Sequence, residues 1–490
     1  MTPDTLYSWF DRSVRAYPDA PALEVAGDVY SYARLSRRAE SLAARLVEAS
    51  GTPTVVGLLA ARTADAYAGY LAALRLGATV VPLNPAHPTS RHLQVCAAAG
   101  VEVVLTEGHD LPNALDMSTV TTEAATDVRQ PPADRPAYLL FTSGSTGAPK
   151  GVAIRHHAVS AFLRHVIGAI ELGPGCRMPS TADLTFDISV LEMFATWGAG
   201  ATLVPPRSPM ELLNPVRYAA ELRLTHWCSV PSAVSVADRL RMLTPGVLPL
   251  LRHSVFLGEQ LTVAQARAWS VAAPASRISN LYGPTEATVA CTGYLLPKNP
   301  ADWPGTSNHS VPIGSVFPGA RVLIVDVANC LATEGELLVS GPQVFNGYLD
   351  SSRDEGRFVV IDGQRWYRTG DRVRLEDGLI VHLDRLDNQV KIRGYRVEPG
   401  EVETVLRGHP GVGEVVVLPA AAESGEVELV VMFTGDVAEP DLAALVADRL
   451  PVYLHPRHYL PVREFPRNSN GKIDRRQLAD IAAGSVRSDS

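Results

Sequence analysis

Up to about residue 380 the chain alternates short apolar runs, of strand length and composition, with longer stretches whose apolar residues recur at helical spacing. The segment GLLAARTADAYAGYLAALRLGATVVPL at 57–83 passes from one pattern to the other, and AYLLFT at 137–142 reads as a buried strand. Such alternation predicts an α/β layered body. A glycine- and acid-rich stretch follows, from GELLVSGPQVFNGYLD through RTGDRVRLEDGLIVHLD, and predicts short strands joined by tight turns. Beyond Asp387 the pattern restarts, with a strand at VELVVMFTG, a helix after DVAEPD and a strand near HYLPVREF. The expected fold is a large N-terminal domain of layered α/β subdomains with a β-rich subdomain (1–386), followed by a small α+β C-terminal domain (387–490). No fixed-period repeat or low-complexity block interrupts it.

Composition narrows the function classes. A net charge of −8 offers no basic face, so a nucleic-acid partner is not expected. No apolar run is long enough to span a bilayer, and the opening MTPDTLYSWFDRS carries acids where a signal peptide needs cations. Five scattered cysteines without a CxxC pair fit a reducing cytoplasm, the expected location, and argue against a zinc site. Of 44 lysines and arginines only four are lysines: Lys150, Lys298, Lys391 and Lys472. In a chain that uses arginine for generic charge, a retained lysine is a candidate for work needing a compact, mobile ammonium. Lys298 lies in a loop-like LLPKNP stretch and fits chance; the other three fall in the segments richest in candidate chemistry.

The first such segment is Thr142-Ser143-Gly144-Ser145-Thr146-Gly147-Ala148-Pro149-Lys150-Gly151, directly after a strand. Its glycines let backbone N–H groups turn toward an anion, and its hydroxyls add donors. It is not a Walker A loop, because Lys150 follows Gly147 by three residues and no Ser or Thr comes after it. A plain flexible turn is the alternative. Two further strand-to-loop passages, SVFLGEQL at 254–261 and ISNLYGPTE at 278–286, share this placement, and ligands of open α/β sheets lie beyond the carboxyl ends of strands. Tyr282 offers a flat face for a base and Glu286 a hard oxygen for magnesium; a proline turn with an exposed carboxylate is the competing reading.

Together with YSYARL, LNPAHPTSR, FDISVLEMF, GELLVSGPQVFNGYL, WYRTGDRV, DRLDNQVKIRGYRVEPGEVE and NSNGKIDRR, the passages FTSGSTGAPKG and NLYGPTEAT make nine ordered blocks across nearly the whole chain. In this order they resemble the adenylate-forming superfamily, in particular the amino-acid adenylation domains of nonribosomal peptide synthesis. The resemblance implies ATP and Mg2+ as cofactors, and a carboxylate activated as its AMP anhydride before passage to a thiol. Such a reaction brings two anions together in line, so it depends on positioning and cationic stabilisation.

By this resemblance Lys472 is the catalytic lysine bridging carboxylate and phosphate, and Lys150 orders the pyrophosphate end. Thr142, Ser143, Gly144, Ser145, Thr146, Gly147, Gly283 and Thr285 belong to the nucleotide site, Glu286 to the metal. Asn280 and Tyr282 are expected at adenine, Asp371 at the ribose hydroxyls and Arg385 at the nucleotide. The small domain is implied to be a mobile lid, with Asp387 as its hinge and Gly394 on the thiol tunnel. Lys391 travels with that segment without an assigned role. Here the chain departs from the family pattern: Asp384-Arg385 stands where Gly-Arg is usual, and His382 where an aromatic is common.

Asp187 in FDISV is implied to pair with a substrate ammonium, which favours an amino acid over a fatty or aryl acid; a helix-capping role is its rival. The remaining pocket positions, carried over by motif, are Ile188, Leu191, Ser229, Val255, Leu257, Gly258, Leu281, Val289 and Ala290. None is charged and several are bulky aliphatics, so a small neutral amino acid is expected, alanine before glycine, serine or 2-aminobutyrate. With only a short tail after NGKIDRR, the acceptor is expected to be the phosphopantetheine thiol of a separate carrier protein. A β-amino acid–carrier ligase, an acyl- or aryl-CoA ligase and a non-catalytic scaffold on the same fold remain the alternatives.

Overall fold

In a computed structural model of the chain, the patterns of 57–83 become strands Val55–Leu59 and Thr79–Leu83 joined by helix Ala64–Arg75. The strands pair in parallel, Gly57 opposite Val81 on one side and Val104 on the other. The helix is buried on almost every face, which explains its run of alanine, tyrosine and leucine in place of an amphipathic stripe. Thr63 caps it, accepting a hydrogen bond from Ala66 N–H. Residues 4–119, 127–132, 134–142, 149–387, 389–392, 394–422, 427–467 and 473–488 are described by the structure.

Two compact units can be distinguished. The first comprises 1–84, 98–140 and 151–386; the second comprises 85–97, 141–150 and 387–490. In the first, Ala114–Asp116, Val103–Thr106, Val55–Leu59, Thr79–Leu83 and Pro136–Thr142 form, in that order, the parallel part of a six-stranded sheet. A second sheet has three parallel strands, His226–Ser229, His253–Phe256 and Arg277–Tyr282, extended antiparallel by Thr292–Leu295 and Ser315–Val316. One core cluster runs from Phe10 and Tyr67 through Trp197 to Leu281, and a second collects round Trp227 and Trp269. This is the α/β layering expected from the sequence.

The glycine-rich stretch is an antiparallel sheet, as its pattern implies, but not one of short strands only. Gln364–Glu376 runs for 13 residues, because it pairs with Glu334–Ser340 on one edge and successively with Phe358–Ile361 and Leu379–Arg385 on the other. A register shift between Arg372 and Val373 absorbs its bend.

The second unit holds the hairpin Val390–Ile392/Tyr395–Val397 and a sheet of Val412–Ala421, Val427–Gly435 and His458–Pro461. Val412–Ala421 was not anticipated from the pattern. Its Val415 and Val417 pack into one apolar cluster and Val416 and Leu418 into another. With both faces covered, the strand reads as an unbroken apolar run without the alternation that marks a half-exposed one.

Two histidines lie stacked inside the second sheet of the first unit. His226 and His253 occupy register partners on adjacent parallel strands, their rings 6.4 Å apart at 6°. Their Nε2 atoms meet Ile170 O at 2.9 Å and Ser279 Oγ at 2.8 Å. Burial, with the charges of His226 and Arg277, pushes His253 down to about 3. Burial chiefly, assisted by His157, takes His156 to about 4, and its Nδ1 accepts a hydrogen bond from Leu6 N–H.

Each of these bases is neutral in folded and unfolded chain alike above pH 6.5; below it the unfolded chain takes up a proton that the folded chain refuses. Stability therefore falls as pH drops from 6.5 toward 3. His253→Gln is expected to reduce that fall by about 1.4 kcal/mol per pH unit, read from urea midpoints between about pH 6.5 and 4.5. An unchanged slope would contradict the assignment.

Candidate functional site

The parallel strands of the second sheet set the first part of the site. Cys228, Val255 and Ser279 stand abreast, followed by Ser229, Phe256 and Asn280, so Ser229 ends its strand one position before Leu257 and Leu281 at the carboxyl edge of the parallel part. Ile188 closes on this edge. Its Cδ1 lies 3.4 Å from where a Cβ of Gly258 would sit, and Gly258 has φ +85°, so a side chain there would be both crowded and strained. Ile188, Leu191, Val255, Leu257, Leu281, Val289 and Ala290 belong to one apolar cluster. Ser229 Oγ accepts from Trp227 Nε1 at 2.8 Å and donates to Val230 O at 3.1 Å.

Asp187 opens the helix Asp187–Val190, which continues through the π-turn Leu191–Ala195 into Thr196–Gly198. Asp187 is half-buried. After burial itself, its charge is the largest influence holding the Tyr138 hydroxyl protonated. Leu191 and Glu192 open the wide turn and are both buried, and such bulges concentrate at functional sites.

Glu192 was missed by sequence reasoning. It is fully buried and accepts from Thr181 N–H at 2.9 Å, Thr181 Oγ1 at 2.7 Å and Ala182 N–H at 3.1 Å. Arg62 donates to the carbonyls of the same two residues. Burial pushes Glu192 up to about 8 against those donors. Its signal in the sequence was an acid inside the apolar run DISVLEMF.

A polar centre lies on the β-rich part of the same unit. Asp371 accepts from Tyr282 Oη at 2.5 Å and Arg385 Nη1 at 2.9 Å, and His382 Nε2 lies 3.2 Å away. The Tyr282 hydroxyl is held protonated by burial and by the Asp371 charge. Asn280 donates to Val311 O and Pro312 O, both at 3.0 Å, which ties the strand end to the neighbouring loop. Asn280, Tyr282, Asp371 and Arg385, expected together from the sequence, thus share one unit, with Tyr282, Asp371 and Arg385 in direct contact.

Between this centre and the apolar edge runs the turn that follows Tyr282. Cys291 N–H returns to Tyr282 O at 2.8 Å, and a Cβ on Gly283 would stand 2.6 Å from Ala290 Cα, so only glycine lets the turn close. Thr285 and Glu286 start its 3-10 turn. Glu286 is fully buried, accepting from Tyr348 Oη at 2.6 Å, while Phe345 N–H bonds its backbone oxygen at 2.8 Å. Among the described residues no group of three or more His, Cys, Asp or Glu could hold a metal. A single fixed carboxylate fits magnesium in the mode that uses one or two protein oxygens and takes the remainder from water and phosphate.

The second unit carries other candidates. Lys150 is buried, its Nζ 3.5 Å from Glu398, which also accepts from Gln389 Nε2 at 2.5 Å. Arg91 and Glu401 form a 2.7 Å ion pair with both side chains buried. Thr142 Oγ1 is buried without a hydrogen-bond partner among the described residues, the kind of donor an anion site needs. Asp387 bonds Gln389 N–H, and Gly394 has φ +83° in the hairpin turn. Ser143, Gly144, Ser145, Thr146, Gly147 and Lys472 lie outside the described residues.

Comparison with known proteins adds a second line of observation. The model of AMP-binding enzymes matches residues 10–349, and that of the AMP-binding enzyme C-terminal domain matches 401–472. Phosphinothricin tripeptide synthetase PhsC of Streptomyces viridochromogenes is 35% identical over 98% of this chain, which covers 45% of that protein. A linear gramicidin synthase polypeptide of Brevibacillus parabrevis is 34% identical over 96% of this chain, which covers 10% of it. The chain thus spans less than half the length of these curated relatives. Among solved structures, the Vibrio cholerae adenylation domain AlmE matches at TM-score 0.87 and 27% identity, over 99% of this chain and 98% of that one.

Glu192 supplies a test of how the helix starting at Asp187 is anchored. In the range between the ordinary 4.5 and about 8 the folded chain keeps a proton that the unfolded chain releases, so this residue's stabilisation is complete below 4.5 and is lost as pH rises. Relative to Glu192→Gln, the native protein should lose about 1.4 kcal/mol per pH unit across that range. Glu192→Leu should cost about 2–4 kcal/mol near pH 4.5, by stranding the Thr181 and Ala182 N–H groups, and that cost should shrink as pH rises toward 8. Denaturant titrations at several pH values measure both.

Proposed function

Because the chain belongs to the AMP-binding enzyme family, within the adenylation-domain type of nonribosomal peptide synthetases, we propose that it activates a small neutral amino acid with ATP and passes it to a carrier thiol. The observation that carries this reading is Asp187, a half-buried carboxylate at the head of a helix whose next residues, Ile188 and Leu191, are buried aliphatics. A carboxylate placed against an uncharged wall suits an ammonium group, and leaves no counter-charge for a charged side chain further in. The AlmE structure contains glycyl-adenosine-5'-phosphate, an aminoacyl adenylate, which supports a small amino acid as substrate.

In the first step an oxygen of the amino-acid carboxylate attacks the α-phosphorus of ATP. The α–β phosphoanhydride bond breaks and pyrophosphate leaves. Asp371 and Arg385 hold the ribose side, Asn280 and Tyr282 the base, and Thr142, Thr285 and Lys150 the phosphates. Lys472 supplies the ammonium that neutralises the two colliding anions. Glu286 would be the protein ligand of Mg2+, which when bound screens the triphosphate charge. In the second step the phosphopantetheine sulfur of a carrier protein, taken as a separate partner, attacks the adenylate carbonyl and AMP leaves. Asp387 is read as the hinge for that step and Gly394 as lining the path of the thiol. One solved relative, PA1221, is described as containing adenylation and carrier (PCP) domains, which supports a carrier as acceptor.

Alanine is the first expected substrate, because Ile188, Leu191, Leu257, Leu281 and Val289 crowd the pocket with aliphatic bulk. Pyrophosphate exchange over α-amino acids, β-amino acids and unaminated acids tests the reading: exchange driven by acids lacking an amine would overturn it. Asp187→Asn should lower kcat/KM for the amino acid by about 100-fold while leaving the KM for ATP within about twofold. Lys472→Ala should abolish exchange yet still transfer an aminoacyl group from a preformed adenylate; equal loss in both half-reactions would count against its role.

A further inference from the structure

The pocket wall is made by an unusual backbone. Thr288 has φ 58° and ψ 80°, and Val289 has φ 66°. They are the only β-branched residues at positive φ among the described residues, and they are consecutive. A branched Cβ is poorly tolerated there, so this conformation persists only where its surroundings impose it, and such strain gathers at functional sites. Both residues are buried, as is Ala290.

Besides the turn's own bonds, from Thr288 N–H to Thr285 O and from Ala290 N–H to Thr288 O, the group that holds it is Gln343. Its side-chain Nε2 donates to Ala290 O at 2.7 Å, and its own carbonyl accepts from Thr288 Oγ1 at 2.6 Å, so one residue grips the turn on both sides of Val289. Gln343 is itself buried, and its Oε1 has no hydrogen-bond partner among the described residues. A buried amide oxygen left unsatisfied is a cost that an apolar side chain would avoid. What the amide contributes in return is the bond from its nitrogen to Ala290. Two residues on, Phe345 N–H holds Glu286 O, so the same short segment fixes the start of the turn.

We propose that Gln343 is a positioning residue for amino-acid selection: it holds Thr288–Ala290 in the strained conformation that presents Val289 and Ala290 to the substrate side chain. The inference rests on the pocket assignment made above. Without the Nε2 bond the turn relaxes toward negative φ, Val289 swings from the wall, and the pocket admits larger side chains. Gln343 touches no substrate; it acts through the backbone of Ala290.

The test is pyrophosphate exchange with the best small amino acid and its homologues lengthened by one and two methylenes. Gln343→Met keeps the length and loses the donor. It should raise the KM for the best amino acid about tenfold, leave the KM for ATP within about twofold, and reduce the preference over the larger homologues at least about fivefold. Gln343→Glu should behave likewise near pH 8 and recover as pH is lowered toward about 6, where a buried carboxyl holds a proton and donates to Ala290 O. Gln343→Met should show no such recovery. Should Gln343→Met fail to fold, Thr288→Val, which removes only the hydroxyl bond to Gln343 O, is expected to shift the preference in the same direction. Equal changes in both KM values, or an unmoved preference in folded variants, would overturn the proposal. Absence of any amino-acid-dependent exchange in the native protein would instead overturn the function itself.

Discussion

The turn from Gly283 to Cys291 folds back onto its own strand, and much of the first unit's chemistry depends on that closure. It is possible because Gly283 has no side chain to collide with Ala290, and because Cys291 N–H returns to Tyr282 O. Within this span lie Thr285 and Glu286 at one end and Val289 and Ala290 at the other. A backbone segment of a few residues, Gln343 to Tyr348, bonds both ends. The carboxylate read as the metal ligand and the residues read as pocket wall are consequently parts of one rigid object. A shift at either end carries to the other, as expected of a close-packed interior whose polar groups have fixed partners.

Four carboxylates of the first unit show how surroundings divide labour among like groups. Asp371 sits beside Arg385 and receives the Tyr282 hydroxyl, with His382 close by. Glu286 is fully buried with the Tyr348 phenol on one oxygen. Asp187 stands half-buried at a helix start, where the backbone dipoles favour negative charge. Glu192, with no exposure, is driven toward its neutral form and serves as an internal tie between the pocket helix and Thr181–Ala182.

Among the described residues of the second unit, the two buried cations are of different kinds. Arg91 meets Glu401 in a tight pair, suited to the fork of a guanidinium. Lys150 approaches Glu398 at a looser 3.5 Å, and Glu398 is shared with Gln389. An ammonium on a long stem can exchange such a partner for a phosphate more readily than a bidentate arginine can. That difference gives physical content to the scarcity of lysine in this chain.

Much of the architecture could be read from residue order, because α/β layering, the antiparallel meander and the C-terminal sheet leave local periodicities in the chain. So could the family, through motifs whose glycines and prolines must sit beside strand ends. Three things were not legible. Strand Val412–Ala421 is covered on both faces and lost the alternation that betrays a strand. Gln364–Glu376 is long because of its partners on two edges, a property of the sheet and not of the segment. Glu192 and Gln343 look like ordinary polar residues until their hydrogen bonds to Thr181–Ala182 and Thr288–Ala290 are seen. Sequence alone determines what is encoded by neighbours along the chain: periodicity, turn chemistry and the residue types a reaction needs. Tertiary structure decides which distant polar groups are buried together, and burial is what turns a glutamine into a clamp and a glutamate into a neutral tie.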